Sequence, residues 1–132
     1  MVWKYLSEAG EAHARAHSAS ARFLGAQELA KNVVVVTAER KIAGRWSRFV
    51  TRSTEYAPLA VVNEELEGDF AGSKFVVVYT PHGHQTRVDL FGEFRSATIP
   101  SRQVEPLVRG LFQAAYEDDV PAVREFALRA LR

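Results

Sequence analysis

The stretch LAVVNEELEGDFAGSKFVVVYTPHGHQTRVDLFGEF, residues 59–94, decides the fold. It reads strand, turn, strand, turn, long strand. Residues 59–67 and 74–80 are rich in valine, and β-branched side chains suit a pleated surface. The turns GDFAGS and PHGHQ carry the glycines and polar residues that reverse a chain. From Thr86 to Arg95 the residues alternate: Val88, Leu90 and Phe94 lie on one face, Arg87, Asp89, Glu93 and Arg95 on the other. A turn centred near Gly83 sets Val78 opposite Val88 and Val76 opposite Leu90, so both strands share one buried face.

Working outward, Val33–Arg40 and Arg45–Tyr56 read as two more strands, separated by a turn at Gly44. Ala19–Leu24 reads as a sixth extended segment, with residues 25–32 as a connection. Residues 2–17 have helical composition. The chain closes with one long amphipathic helix starting at Ser101 or at Pro106, proline being suited to a first helical position. Val108, Leu111, Phe112, Ala115, Ala122, Val123 and Phe126 fall on one face of it. Pro121 is expected to kink that helix. Asp119 lies on the apolar stripe, and reads either as a group facing the interior or as an N-cap restarting the helix.

The expectation is therefore one α+β domain over 1–132: a curved antiparallel sheet of about six strands wrapped round a long C-terminal helix. At 132 residues it can bury a real core. A net charge of +1 makes no general case for nucleic acid or an anionic membrane, and no apolar run reaches the roughly 20 residues of a membrane span. The absence of cysteine excludes disulfides and thiolate chemistry. No signal-peptide pattern opens the chain, which points to the cytoplasm. No phosphate-cradling glycine loop is present, and no cofactor is expected.

In the 59–67 strand the better apolar set is Ala60, Val62 and Leu66, which carries Glu64 inward with it. A turn centred near Ala57 adds Trp46, Arg48, Val50 and Arg52 to that face, with Glu64 diagonal to both Arg48 and Arg52. An acid among apolar neighbours must be paired, and two guanidiniums lie within reach. Glu64 is thus the candidate for a polar anchor or a general acid; a register shift makes it a plain surface ion pair. His13 and His17, at i and i+4, are candidates for a divalent metal, but the H-E-x-x-H companion acid is missing and solvated imidazoles explain them more simply.

The order of elements, with VWKYLSEAGEAHARAH (2–17), EELEGDFAGSKFVVVYTPHGHQTRVDLFGEF (64–94) and VEPLVRGLFQAAYEDDVPAVREFALRAL (104–131), resembles the START-like or SRPBCC superfamily of helix-grip proteins. Such proteins open with a strand before the first helix; this chain begins at Met1 in the helical segment, and a missing edge strand favours pairing of two copies through the open edge. The resemblance implies a cavity between sheet and helix for a hydrophobic or amphipathic small molecule, lipid- or polyketide-like. The expected ligand contacts are Trp46, Arg48, Val62, Glu64, Val78, Leu90, Phe112 and Asp119. Two alternatives stand beside binding: a polyketide cyclase or dehydratase using a cavity acid such as Glu64, and a regulatory or structural protein dimerising through a sheet edge.

Overall fold

A computed structural model describes residues 20–130. The helical segment expected at 2–17 and the His13/His17 pair lie outside them. Six strands follow one another as an antiparallel meander: β1 (Ala21–Ala30), β2 (Val33–Ile42), β3 (Arg45–Tyr56), β4 (Ala60–Glu67), β5 (Lys74–His82) and β6 (Gln85–Glu93). One helix, α1 (Ser101–Ala130), closes the chain. This is the α+β helix-grip arrangement that the valine runs and the C-terminal stripe predict.

Residues 25–32, expected as a connection, are mostly strand: β1 runs on to Ala30, and a two-residue turn leads into β2. The helix begins at Ser101 and continues through both Pro106 and Pro121. Asp119 therefore sits inside a continuous helix and is not an N-cap.

Phe75 fixes which face of the sheet is inner. Its ring packs edge-on against Phe112 of α1, centroids 5.1 Å apart, and stacks on Phe94 at 5.3 Å. Directly paired residues on neighbouring strands share a face. The pairs Asn63–Phe75, Ser53–Asn63 and Val34–Ser53 carry the inner face across β5, β4, β3 and β2. Val88 and Leu90 of β6 pair with Tyr79 and Val77, so they too are inner, as is Phe94. Gly92 is opposite Phe75, where an added Cβ would lie 2.6 Å from the Phe75 Cα. No side chain fits there without moving backbone.

The tightest core sits at one end, where Phe70 of the β4–β5 turn meets Val104 and Val108 in the first turns of α1. Ile42, Ile99 and Leu111 pack round them. The free edge at β1 is largely exposed and is bulged at Leu24 and Leu29. Bulges of this kind twist an edge away from strand pairing.

Candidate functional site

The inner face is unexpectedly polar. Ser53 Oγ donates to Asn63 Oδ1 at 2.7 Å in its middle. Towards the Phe70 end, the Glu65 carboxylate accepts from Arg40 at 2.6 Å and from the Thr51 hydroxyl at 2.9 Å. The Arg40 guanidinium sits over Phe49, 3.6 Å from the ring centre, with Phe70 at 5.7 Å. Both charges are nearly dry: the Glu65 side chain is 4% exposed and that of Arg40 16%. Removing an ion pair from water costs several kcal/mol per ion, and only close geometry with filled lone pairs offsets it. Here each Glu65 oxygen has a donor, so the arrangement ties β2, β3 and β4 together.

At the same end Asp69, in the turn after β4, joins three segments. It accepts from Ser47 of β3 and, at 2.7 Å, from Thr98 in the segment before α1. Ser96 Oγ then accepts from the Thr98 and Ile99 amides at 3.1 and 3.0 Å. A cleft of about 420 Å³ opens beside this network, lined by Ile42, Arg45, Trp46, Asp69 and Ile99 among others. The two hydroxyls at its wall, Ser47 and Thr98, are already engaged with Asp69.

Those hydrogen bonds from Ser47 and Thr98 hold the Asp69 carboxyl below its usual 3.8, with burial opposing and the charges of Arg40 and Arg45 adding to the effect. A carboxyl whose pKa is lower folded than unfolded contributes stability that is complete above the unfolded value. That stability disappears as pH falls through the folded one. Thermal stability should therefore drop as pH is lowered from 3.8, and Asp69→Asn should flatten that part of the curve while lowering stability at neutral pH. A melting series in pH on both chains checks it; parallel curves would contradict the role given to Asp69.

Beyond Phe112 the arrangement changes. Ala115, Asp119, Ala122, Val123 and Phe126 continue the inward stripe of α1, but all are only half-buried. The inner sheet residues Val34, Val36, Val61, Val77 and Leu90 are half-buried too. At this end the Tyr79 phenol is pushed up to about 12, chiefly by burial and then by the nearby charges of Asp119 and Glu55. It stays protonated at physiological pH and can donate a hydrogen bond.

The expected contact residues divide between the two faces. Leu90, Phe112 and Asp119 belong to the inner side. Trp46, Arg48, Val62, Glu64 and Val78 are on the outer face, and the expectation that they line a space between sheet and helix is corrected; Trp46 lines the cleft beside Asp69 instead. The β5–β6 register moves Val78 outward, whereas Trp46, Arg48, Val62 and Glu64 keep the common face expected of them, and that face is the outer one. The β5–β6 turn is two residues, so Tyr79, not Val78, pairs with Val88, and Val77, not Val76, with Leu90. In β3–β4, Arg52 is directly opposite Glu64 and Tyr56 opposite Ala60, so the turn is centred on Pro58. Arg52 binds Glu64 through Nε at 2.9 Å, and Lys74 approaches it at 3.6 Å. The Arg52 hydrogen bond holds Glu64 below its usual 4.5; desolvation opposes it, and the charges of Arg52 and Lys74 add to the lowering. It is an ionised surface partner on the outer face.

Trp46, also outer, has Arg22 stacked 3.6 Å from its ring centre and Lys41 at 5.3 Å. His82 and His84 flank Gly83 at the β5–β6 tip, and the described residues hold no group of three potential metal ligands. Sequence reading missed Arg40 and Glu65. The paired acids at 64–65 were the available signal, since one of two adjacent acids in a strand must face inward.

No protein-family model matches the chain, and no curated protein matches it. Among solved structures, the crystal structure of TTHA0849 from Thermus thermophilus is similar, with a TM-score of 0.65 over 98% of this chain and 88% of that one. The two are 19% identical, a likeness that speaks to fold alone. The chain is thus a helix-grip α+β domain.

Proposed function

We propose that this chain is a START-like domain that binds a hydrophobic or amphipathic small molecule between the inner face of the sheet and the second half of α1. One observation carries the reading: the contrast between the two halves of the helix. The first half buries Val104 and Val108 against Phe70, whereas Ala115, Ala122 and Val123 of the second are only half-buried, as are the inner-face valines of the sheet. Small side chains on both walls leave room that large ones would fill. The mixture of apolar walls with a few polar groups is typical of ligand sites. Valines and alanines supply the affinity, and Tyr79, with Asp119 and Glu55 near it, orients a polar end of the ligand.

The cyclase or dehydratase reading needs an acid in this groove. Glu64 faces the other way, which leaves Asp119, Glu55 and Tyr79 as the groups that such chemistry would use. Binding without turnover is the reading favoured by the apolar character of the walls. Titration with a fluorescent long-chain acid such as cis-parinaric acid tests it. Saturable binding of one molecule per chain, competed by other amphiphiles, is expected. Absence of saturable binding across fatty acids, sterols and aromatic polyketide-like compounds would contradict it.

A further inference from the structure

The outer face of β3–β6 is more apolar than a water-facing sheet surface needs to be. One rank of paired residues across it reads Val33, Thr54, Val62, Val76, Phe91. The next reads Tyr56, Ala60, Val78, Asp89. Phe91 and Tyr56 are each 57% exposed, while Val62, Val76 and Val78 are half-buried. On the other side of the apolar rank lies a charged one: Arg52, Glu64, Lys74, Glu93, alternating in sign from β3 to β6 as plus, minus, plus, minus.

That alternation is self-complementary. A two-fold axis parallel to the strands, lying over the face between β4 and β5, exchanges β3 with β6 and β4 with β5. Arg52 then faces Glu93 of a second copy, and Glu64 faces its Lys74. The same operation sets Val62 against Val76, Thr54 against Phe91, and the Tyr56 hydroxyl towards Asp89. Each contact occurs twice, as an isologous interface requires. Like charges meet nowhere in the rank. We propose that two copies of this chain associate face to face through the outer surface of β3–β6 about this axis, with the valine–phenylalanine rank as its apolar centre and the charged rank fixing register. The doubly bulged β1 edge is not the contact.

Sedimentation velocity of the full chain at high micromolar concentration is the test. The native chain should sediment as a dimer of the 14.7 kDa protomer. Phe91→Lys should sediment as a monomer with its circular dichroism spectrum unchanged. Glu93→Lys, which opposes Arg52 twice per dimer, should weaken association at least about tenfold, since like charges across an interface cost several kcal/mol. Because the chain has no cysteine, a second measurement fixes the geometry. Thr54→Cys and Phe91→Cys proteins, mixed and treated with a bis-maleimide spanning about 10 Å, should cross-link more in the mixture than either does alone. A native chain monomeric at every concentration overturns the proposal. So does a dimer indifferent to Phe91→Lys, or one cross-linked equally without the mixed pair.

Discussion

Glu65→Ala is expected to destabilise the chain by about 3–5 kcal/mol, because it leaves the Arg40 guanidinium uncompensated in a nearly dry site. The structure gives Arg40 no easy exit. From β2 its guanidinium reaches over the Phe49 ring of β3, with Phe70 beyond. The Thr51 hydroxyl loses its acceptor at the same time, which adds the cost of an unsatisfied buried donor. For a domain near the usual stability of about 5–15 kcal/mol, such a loss is a large fraction of the whole. Urea unfolding measures it directly.

The two partners should not behave additively. Replacing both by apolar residues of similar volume, Arg40→Met with Glu65→Leu, removes the buried charges together and should recover most of the loss. The double-mutant cycle then gives a coupling of more than about 1 kcal/mol, as expected for residues in direct contact. If Glu65→Ala costs no more than an exposed ion pair, below about 1 kcal/mol, the tie across β2, β3 and β4 does not hold as described.

The second large effect concerns the groove. Ala122→Trp places an indole on the inward stripe of α1, between helix and valine wall. Where a groove is open, the added ring fills it at little cost and buries apolar area worth a few kcal/mol. Where the site is already packed, the same change forces strain of about 1–3 kcal/mol. The account predicts the first: melting temperature held or raised, and affinity for a long-chain probe reduced at least about a hundredfold. The control is Val108→Trp, at the closed end, where the residue is buried against Phe70 and overpacking should destabilise. Equal destabilisation by both would mean that the two halves of α1 are packed alike.

Much of the fold was readable from residue type alone. The valine runs at 33–36 and 76–78 and the stripe from Val108 to Phe126 each name their element, because apolar period follows backbone geometry. The first strand was the exception: Gly25 and the polar Gln27 and Glu28 look like a connection, but pairing with β2 extends it to Ala30. What the sequence did not disclose was the facing of β4 and β5. Three consecutive valines at 76–78 have no alternation to orient them, and one residue in the turn at Gly83 exchanges the two sets. In β4 the apolar set Ala60 and Val62 is outer, while Val61, Asn63 and Glu65 are inner. The rule that the more apolar set faces inward failed because the inner polar groups are paired with one another, Ser53 with Asn63 and Arg40 with Glu65 and Thr51. The same inversion left apolar side chains on the outer face, where a second copy would cover them.

The candidate site was legible where it lies on the helix. Phe112 and Asp119 follow from a period of 3.6, and Leu90 from the clear alternation of β6. Strand parity alone does not orient Tyr79; its pairing with Val88 puts it on the inner face.

Native mass spectrometry of the protein as purified tests the central claim most directly. The account predicts a reproducible adduct of a few hundred daltons, one per chain, released by denaturation and missing from Ala122→Trp prepared in the same way. A native chain that carries no adduct, and takes up none when mixed with long-chain acids, sterols or aromatic polyketide-like compounds, would contradict a ligand groove beneath the second half of α1.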